Sequence, residues 1–178
     1  MTALPIGLTR RSRILFVPLT VNKGTDRLRA YLPSGPSVSV IGRCEYGVLK
    51  RDKSFLLRYY PKAVSGKPEN LTKLVRNESI PLEIMPTFTR DAVTLTVLRD
   101  GKPLAGAVVT TVDADLQNEE LKADDAGKVT WKLPAAGPYA VYVKHVVAKS
   151  GTQGGDSYEE IREFATLGFD WPLDDSRV

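Results

Sequence analysis

The amino-acid sequence predicts an all-β protein, an antiparallel β-sandwich with an additional N-terminal β portion. Three observations carry this. Short segments that alternate apolar and polar residues recur along the whole chain. Turn signals separate them, above all Asp100-Gly101 and Asp124-Asp125-Ala126-Gly127. No stretch of useful length carries the apolar spacing of an amphipathic helix.

The elements follow in order. RILFVPLTV (13–21) is rich in β-branched residues, and Pro18 marks an edge or a bend. DRLRAYLP (26–33) alternates, so Leu28, Ala30 and Leu32 share a face. SVSVIGRCEYGVL (37–49) and SFLLRYYPKAV (54–64) read as a hairpin around the charged turn 50–53. Within it Tyr59 and Tyr60 must point to opposite faces. Residues 65–86 open with polar turn signals and close on IPLEIMP between prolines, which predicts a linker or a strand switch. From Asp91 the pattern is more regular. AVTLTVLRDGKPLAGAVVTTVD (92–113) reads as strand, Asp-Gly turn, strand. LKADDAGKVTWKLP (121–134) repeats the device and sets Val129 and Trp131 on one face. AAGPYAVYVKHVV (135–147) supplies a long strand, and AKSGTQGGDSYEE (148–160) a flexible, Gly-rich hairpin loop. IREFATLGFDW (161–171) closes the series with Ala165, Leu167, Phe169 and Trp171 on one face. SYEEIREFATL has the length of a short helix, but its β-prone aromatic content favours strand. About seven strands are expected from Asp91 onward. The expected division is an N-terminal β portion at 1–88, the sandwich at 89–173 and a C-terminal tail at 174–178.

Composition narrows the function classes. The chain has 178 residues, enough for one large domain or two small ones, with 42% hydrophobic and 26% charged residues. The net charge of +4 comes mainly from the first half. There the basic residues alternate with apolar ones, as on the wet face of a sheet, rather than clustering with aromatics for nucleic acid. No nucleic-acid partner is expected. No apolar run reaches the roughly 18 residues that span a bilayer. In MTALPIGLTRRSRILFVPL the arginines 10, 11 and 13 follow a weak apolar start, the reverse of a signal peptide. The expectation is a cytoplasmic chain or one whose precursor carries a leader. The single cysteine, Cys44, cannot make an intrachain disulfide or a multi-cysteine metal site. It reads as a buried small hydrophobe. A nucleophilic role would need His145, the only histidine, beside it.

Residues 91–171 resemble the transthyretin-like and carboxypeptidase-regulatory-like β-sandwich modules, through VLRDGKPLAGAVVTTV and DDAGKVTWKLPAAGPYAVYVKH. In that frame Tyr139 packs inward while its hydroxyl finds a backbone partner. A wider resemblance rests on CEYGVLKRDKSFLLRYYPKAV, IPLEIMP and KHVVAKSGTQGGDSYEEIREFATLGFDW, in that order. Together they resemble an uncharacterised secreted bacterial family labelled nickel-uptake-like, a domain of unknown function. The resemblance implies a periplasmic or extracellular β-protein. Members carry a signal peptide and a His-containing first segment.

The candidate chemistry is sparse. His145 falls in the apolar phase Tyr139, Val141, Val143, Val147, near a strand end. It reads as a hydrogen-bonded rim residue or as a metal ligand. A metal needs about three or four converging ligands. Asp156, Glu159, Glu160 and Glu163 are the candidates to join His145. Such a set would suit a hard divalent metal ion, the one cofactor the residues suggest. Asp113, Asp115, Glu119, Glu120, Asp124 and Asp125 form an acidic stretch that reads as turn chemistry before it reads as calcium. No G-x-S-x-G, Walker, Rossmann or H-E-x-x-H pattern is present. No catalytic residue is therefore assigned. The expected function is a non-catalytic, extracytoplasmic binding or structural module. The alternatives are a metal-binding (nickel/cobalt-type) accessory protein and a subunit of a larger surface or filament assembly. A protein partner or self-assembly is expected.

Overall fold

A computed structural model of the chain describes residues 20–22, 27–29, 37–71 and 80–173. Almost everything in it is β. Strands β1 (Thr20–Asn22) and β2 (Arg27–Arg29) pair antiparallel in a small separate sheet. The rest of the two segments predicted at 13–33, including Ala30 and Leu32, lies outside the described residues, as does the tail at 174–178. Next come β3 (Ser37–Ile41), β4 (Cys44–Lys50), the long β5 (Ser54–Gly66), a single helical turn α1 (Pro68–Leu71) and β6 (Leu82–Phe88). Then follow β7 (Ala92–Arg99), β8 (Lys102–Pro103), β9 (Val108–Val112), β10 (Asn118–Lys122) and β11 (Lys128–Lys132). β12 (Gly137–Val147), β13 (Gly151–Gln153), β14 (Asp156–Tyr158) and β15 (Glu160–Trp171) complete the order.

Two sheets face one another across one core. The large sheet runs β10-β9-β12-β15-β5-β3, with β4 also on β5. The small sheet runs β11-β7-β6, with β8 on β7. Val93, Leu95 and Val97 of β7 are fully buried against Val141, Val143, Ala165, Leu167 and Phe169 of the large sheet. Each such aliphatic contributes roughly 1.5–3 kcal/mol by leaving water. The period-2 pattern thus landed where alternation put it, and Trp131, Tyr139, Ala165 and Phe169 all point inward.

The N-terminal half joins these same sheets. β5 lies between β3 and β15, and β6 pairs along the length of β7. Ile41, Tyr60, Val64, Leu82 and Ile84 share the core with the strands after Asp91. The β5–β15 pair is parallel, while every other strand pair among the described residues is antiparallel. No short turn joins β5 to β15, so nothing forces them antiparallel.

Several local expectations change. The hairpin expected over 37–64 is split. β4 pairs with the first half of β5 and β3 with the second, with a bulge at Glu45/Gly47. Asp100 and Gly101 take positive φ (50° and 76°) and turn β7 into β8, as the Asp-Gly signal requires. However, β8 spans only two residues before the chain crosses to the large sheet as β9. Pro103 has no N–H to extend the ladder. At Gly127 (φ 69°) an added Cβ would stand 2.7 Å from the Val97 carbonyl oxygen, so only glycine fits. The Gly-rich stretch after β12 forms the expected hairpin, β13–β14, and it is tied down on β4 and β5 by Gln153–Glu45, Lys50–Asp156 and Ser54–Glu159 side-chain hydrogen bonds.

Candidate functional site

The polar groups between the sheets gather at the end where the small sheet stops. There Glu163 of β15 stands in register with His145 of β12 on one side and Arg58 of β5 on the other. Glu163 follows the phase of Ile161, Ala165, Leu167 and Phe169, so alternation drives its carboxylate into the interior, where it is 1% exposed. Tyr60, one residue pair further along β5, donates its hydroxyl to Glu163 Oε1 at 3.0 Å. Arg99, the last residue of β7, brings Nη2 to 3.3 Å from Glu163 Oε2. That contact is an ion pair without hydrogen-bond geometry, since Oε2 has no hydrogen-bond partner. Arg99 Nη1 also donates to the Pro81 carbonyl at 3.1 Å and to Asp100 Oδ1 at 2.6 Å. One guanidinium therefore fastens the end of the small sheet to the large one.

Electrostatics follow from burial. Desolvation, the nearby Glu163 charge and their hydrogen bond push the Tyr60 phenol well above its ordinary value, so it stays a donor. His145 is held below its ordinary value, first by burial and then by the Arg99 charge, against the pull of Glu163 and Asp100. Nearby, Lys62 and Glu83 form a second buried pair, with Nζ 2.5 Å from Oε1 and 3.1 Å from the Ile84 carbonyl oxygen. Burial pushes the Lys62 ammonium down while Glu83 opposes the shift. These groups hold protons and charges in place. They form an internal polar clasp between the sheets.

The predicted metal ligands do not gather around His145. Asp156 pairs with Lys50 at 2.9 Å, Glu159 accepts from the Ser54 hydroxyl at 3.2 Å, and Glu160 accepts from Arg162 Nε at 2.7 Å. Those partners stand on β4, β5 and β15, on the far side of β15 from β12 or on its opposite face. Of the four candidate carboxylates, Glu163 stands opposite His145, and Tyr60 and Arg99 already engage it. Among the described residues no group of three or more His, Cys, Asp or Glu side chains is placed to hold a metal ion. The acidic stretch resolves into turns. Asp113 Oδ1 accepts from the backbone N–H groups of Asp115 and Gln117, and Asp124 Oδ1 from those of Ala126 and Lys128. Cys44 is half-buried rather than fully buried, because β4 lies at the sheet margin; two strands, β5 and β15, separate it from His145.

The described residues also present an exposed apolar sheet face and a cleft. The outer face of the large sheet carries Tyr142 and Val146, 40% and 43% exposed, beside the stacked pair Tyr59–Phe164 at 5.3 Å. At the end of the molecule away from Glu163, a cleft of about 370 Å³ opens between the start of β12 and the ends of β5 and β15. Trp171 lines it, its ring stacked on Phe88 at 6.1 Å. Tyr139, buried below, donates its hydroxyl to the Ala135 carbonyl at 2.8 Å, which pins the loop before β12. No family model matches the chain, and no curated protein and no solved structure matches it.

Proposed function

We propose that this chain is a non-catalytic binding or structural β-sandwich protein, working outside the cytoplasm and assembling with further copies of itself. The extracytoplasmic setting rests on the family resemblance of its motifs. The observation that carries the binding reading is the outer face of the large sheet. Tyr142 and Val146 stand there exposed on β12, next to Phe164 and Tyr59 on the neighbouring strands. Side chains of this kind on an open sheet face favour contact with another protein surface. The interior supports the same reading, since its ionisable groups are spent on one another.

Sedimentation velocity over a wide concentration range tests this. The wild type is expected to associate, and Tyr142→Ser/Val146→Ser to shift that association at least tenfold toward higher concentration. A wild type that stays monomeric up to millimolar concentration sinks the reading. The metal-handling alternative would rest on the imidazole of His145 with Glu163 opposite. Saturable nickel binding by calorimetry that vanishes in His145→Ala would restore it in place of ours.

A further inference from the structure

We infer that two copies of this chain join edge to edge, β10 of each pairing with β11 of the other about a twofold axis; the inference rests on reading the chain as self-assembling. β10 and β11 are edge strands of the large and small sheets, and among the described residues neither carries a further strand on its open flank. Residues 123–127 turn the chain from one into the other. Gly106 donates to the Ala123 carbonyl, Leu104 to the Val97 carbonyl, and Val97 to the Gly127 carbonyl. The end of β10 and the start of β11 therefore lie at one end of the sandwich, and the two edges run in opposite directions along one side. Register shows which backbone groups are open. Gln117 and Ala123, which flank β10, bond to Asp113 and Ala107, so the odd positions of β10 face β9 and the N–H and C=O groups of Asn118, Glu120 and Lys122 point outward. Gly127 and Leu133 bond to Val97 and Asp91 in the same way, which turns the groups of Lys128, Thr130 and Lys132 outward on β11. Those of Lys128 already bond to Asp124, so Thr130 and Lys132 present the open edge.

Charge selects the partner. β10 carries Glu119 and Glu120 against Lys122, while β11 carries Lys128 and Lys132 and no carboxylate. Leu121 packs toward the core, so its neighbour Glu120 stands on the outer face of the large sheet. Val129 and Trp131 pack inward, so Lys128 and Lys132 stand on the outer face of the small sheet. Glu120, Lys128 and Lys132 are all exposed, and none makes an ion pair with another described residue. Pairing β10 with β10 would set glutamates of two copies against one another, and pairing β11 with β11 would do the same with lysines; both are unfavourable. Pairing β10 with β11 instead brings Glu120 of one copy opposite or diagonal to Lys128 and Lys132 of the other. A twofold axis along the strands makes that contact twice, antiparallel each time. It carries the large sheet of each copy into the small sheet of its partner, with outer faces aligned. Both open edges are covered at once.

The test is sedimentation velocity on the full chain carrying Tyr142→Ser/Val146→Ser, which silences the outer face of the large sheet. A discrete monomer–dimer equilibrium, weakened by salt, is expected. Adding Glu120→Lys should weaken this dimer at least about tenfold, and adding Lys128→Glu/Lys132→Glu should do the same. These positions are exposed, so both variants should keep the fold, which circular dichroism checks. An equal mixture of the two variants restores opposite charge at both contacts and should dimerise as their parent does. A dimer indifferent to either reversal overturns the edge pairing, and so does a mixture that stays monomeric. Absence of a dimer in the parent, while the wild type still associates, overturns the edge pairing and leaves the outer-face contact standing. A wild type that goes no further than this dimer keeps the edges and overturns the outer-face contact. A wild type that stays monomeric up to millimolar concentration overturns both.

Discussion

The two ends of the sandwich are closed by opposite means. At one end Arg99, Glu163 and Tyr60 hold the sheets through an ion pair and a 3.0 Å hydrogen bond. At the other, Tyr139 stacks on Phe169 at 5.6 Å, and Phe88 and Trp131 meet that pair edge-on. Both ends use the same strands, β7, β12 and β15 among them. What differs is the kind of residue that falls in the inward phase. Aromatic closure draws on buried area and is indifferent to pH. Polar closure is directional, depends on protonation, and penalises the loss of any one member, because the others stay buried.

Each of the following experiments breaks or sharpens that contrast. Phe169→Ala, at a position 6% exposed, should cost about 3–5 kcal/mol in urea denaturation, with the same deficit at pH 5 and pH 8. Lys62→Met removes the ammonium that faces the buried Glu83 carboxylate and should cost roughly 3–5 kcal/mol in the same denaturation. A deficit below about 1 kcal/mol would show that the Lys62 ammonium adds nothing beyond the packing of its stem. Glu163→Gln keeps the shape but removes the charge facing Arg99. A loss of about 1–3 kcal/mol is expected, and a neutral result would mean that Tyr60 alone closes that end.

The smallest effect belongs to His145. Its native-state value lies below the ordinary one near 6.5, so the unfolded chain takes up this proton first. The stability linked to it is complete above about pH 6.5 and declines as the pH falls through that value toward the native one. His145→Asn should therefore flatten the acid side of a thermal-melting profile between pH 7 and pH 5. A profile that runs parallel to that of the wild type would remove His145 from the clasp.

Much of the fold is legible in the sequence because alternation is a strict geometric signal. Tyr139, Val141 and Val143 had only one face to take, and the Asp100-Gly101 pair had only one turn to make. The parallel partnership of β5 with β15 was not legible, since no local residue encodes which distant strand lies alongside. The clasp was half legible. His145, Glu163 and Lys62 are all polar residues in an apolar phase, at 145 in the series 139–147, at 163 in 161–169 and at 62 in 60–64. That misfit marks a buried polar group, but it does not name the partner. Arg99 looked like an ordinary residue before a turn, and only the crossing of the two sheets brings it to Glu163. Nearness in sequence does not decide which way a strand presents the carboxylates at 156, 159 and 160. Asp156 and Glu159 reach Lys50 and Ser54 instead.

The placement of β15 has a consequence for how the chain is made. Among the described residues β15 is the last strand in sequence, yet it sits in the middle of the large sheet, between β12 and β5. During synthesis β3, β4 and β5 leave the ribosome early, but the flank of β5 that β15 will cover stays an open row of backbone donors and acceptors until residues 160–171 appear. The final strand therefore acts as a keystone: a ribosome that stalls before residue 160 releases two half-sheets with sticky edges rather than a smaller stable protein. Completion of the large sheet therefore depends on long-range closure between β15 and β5.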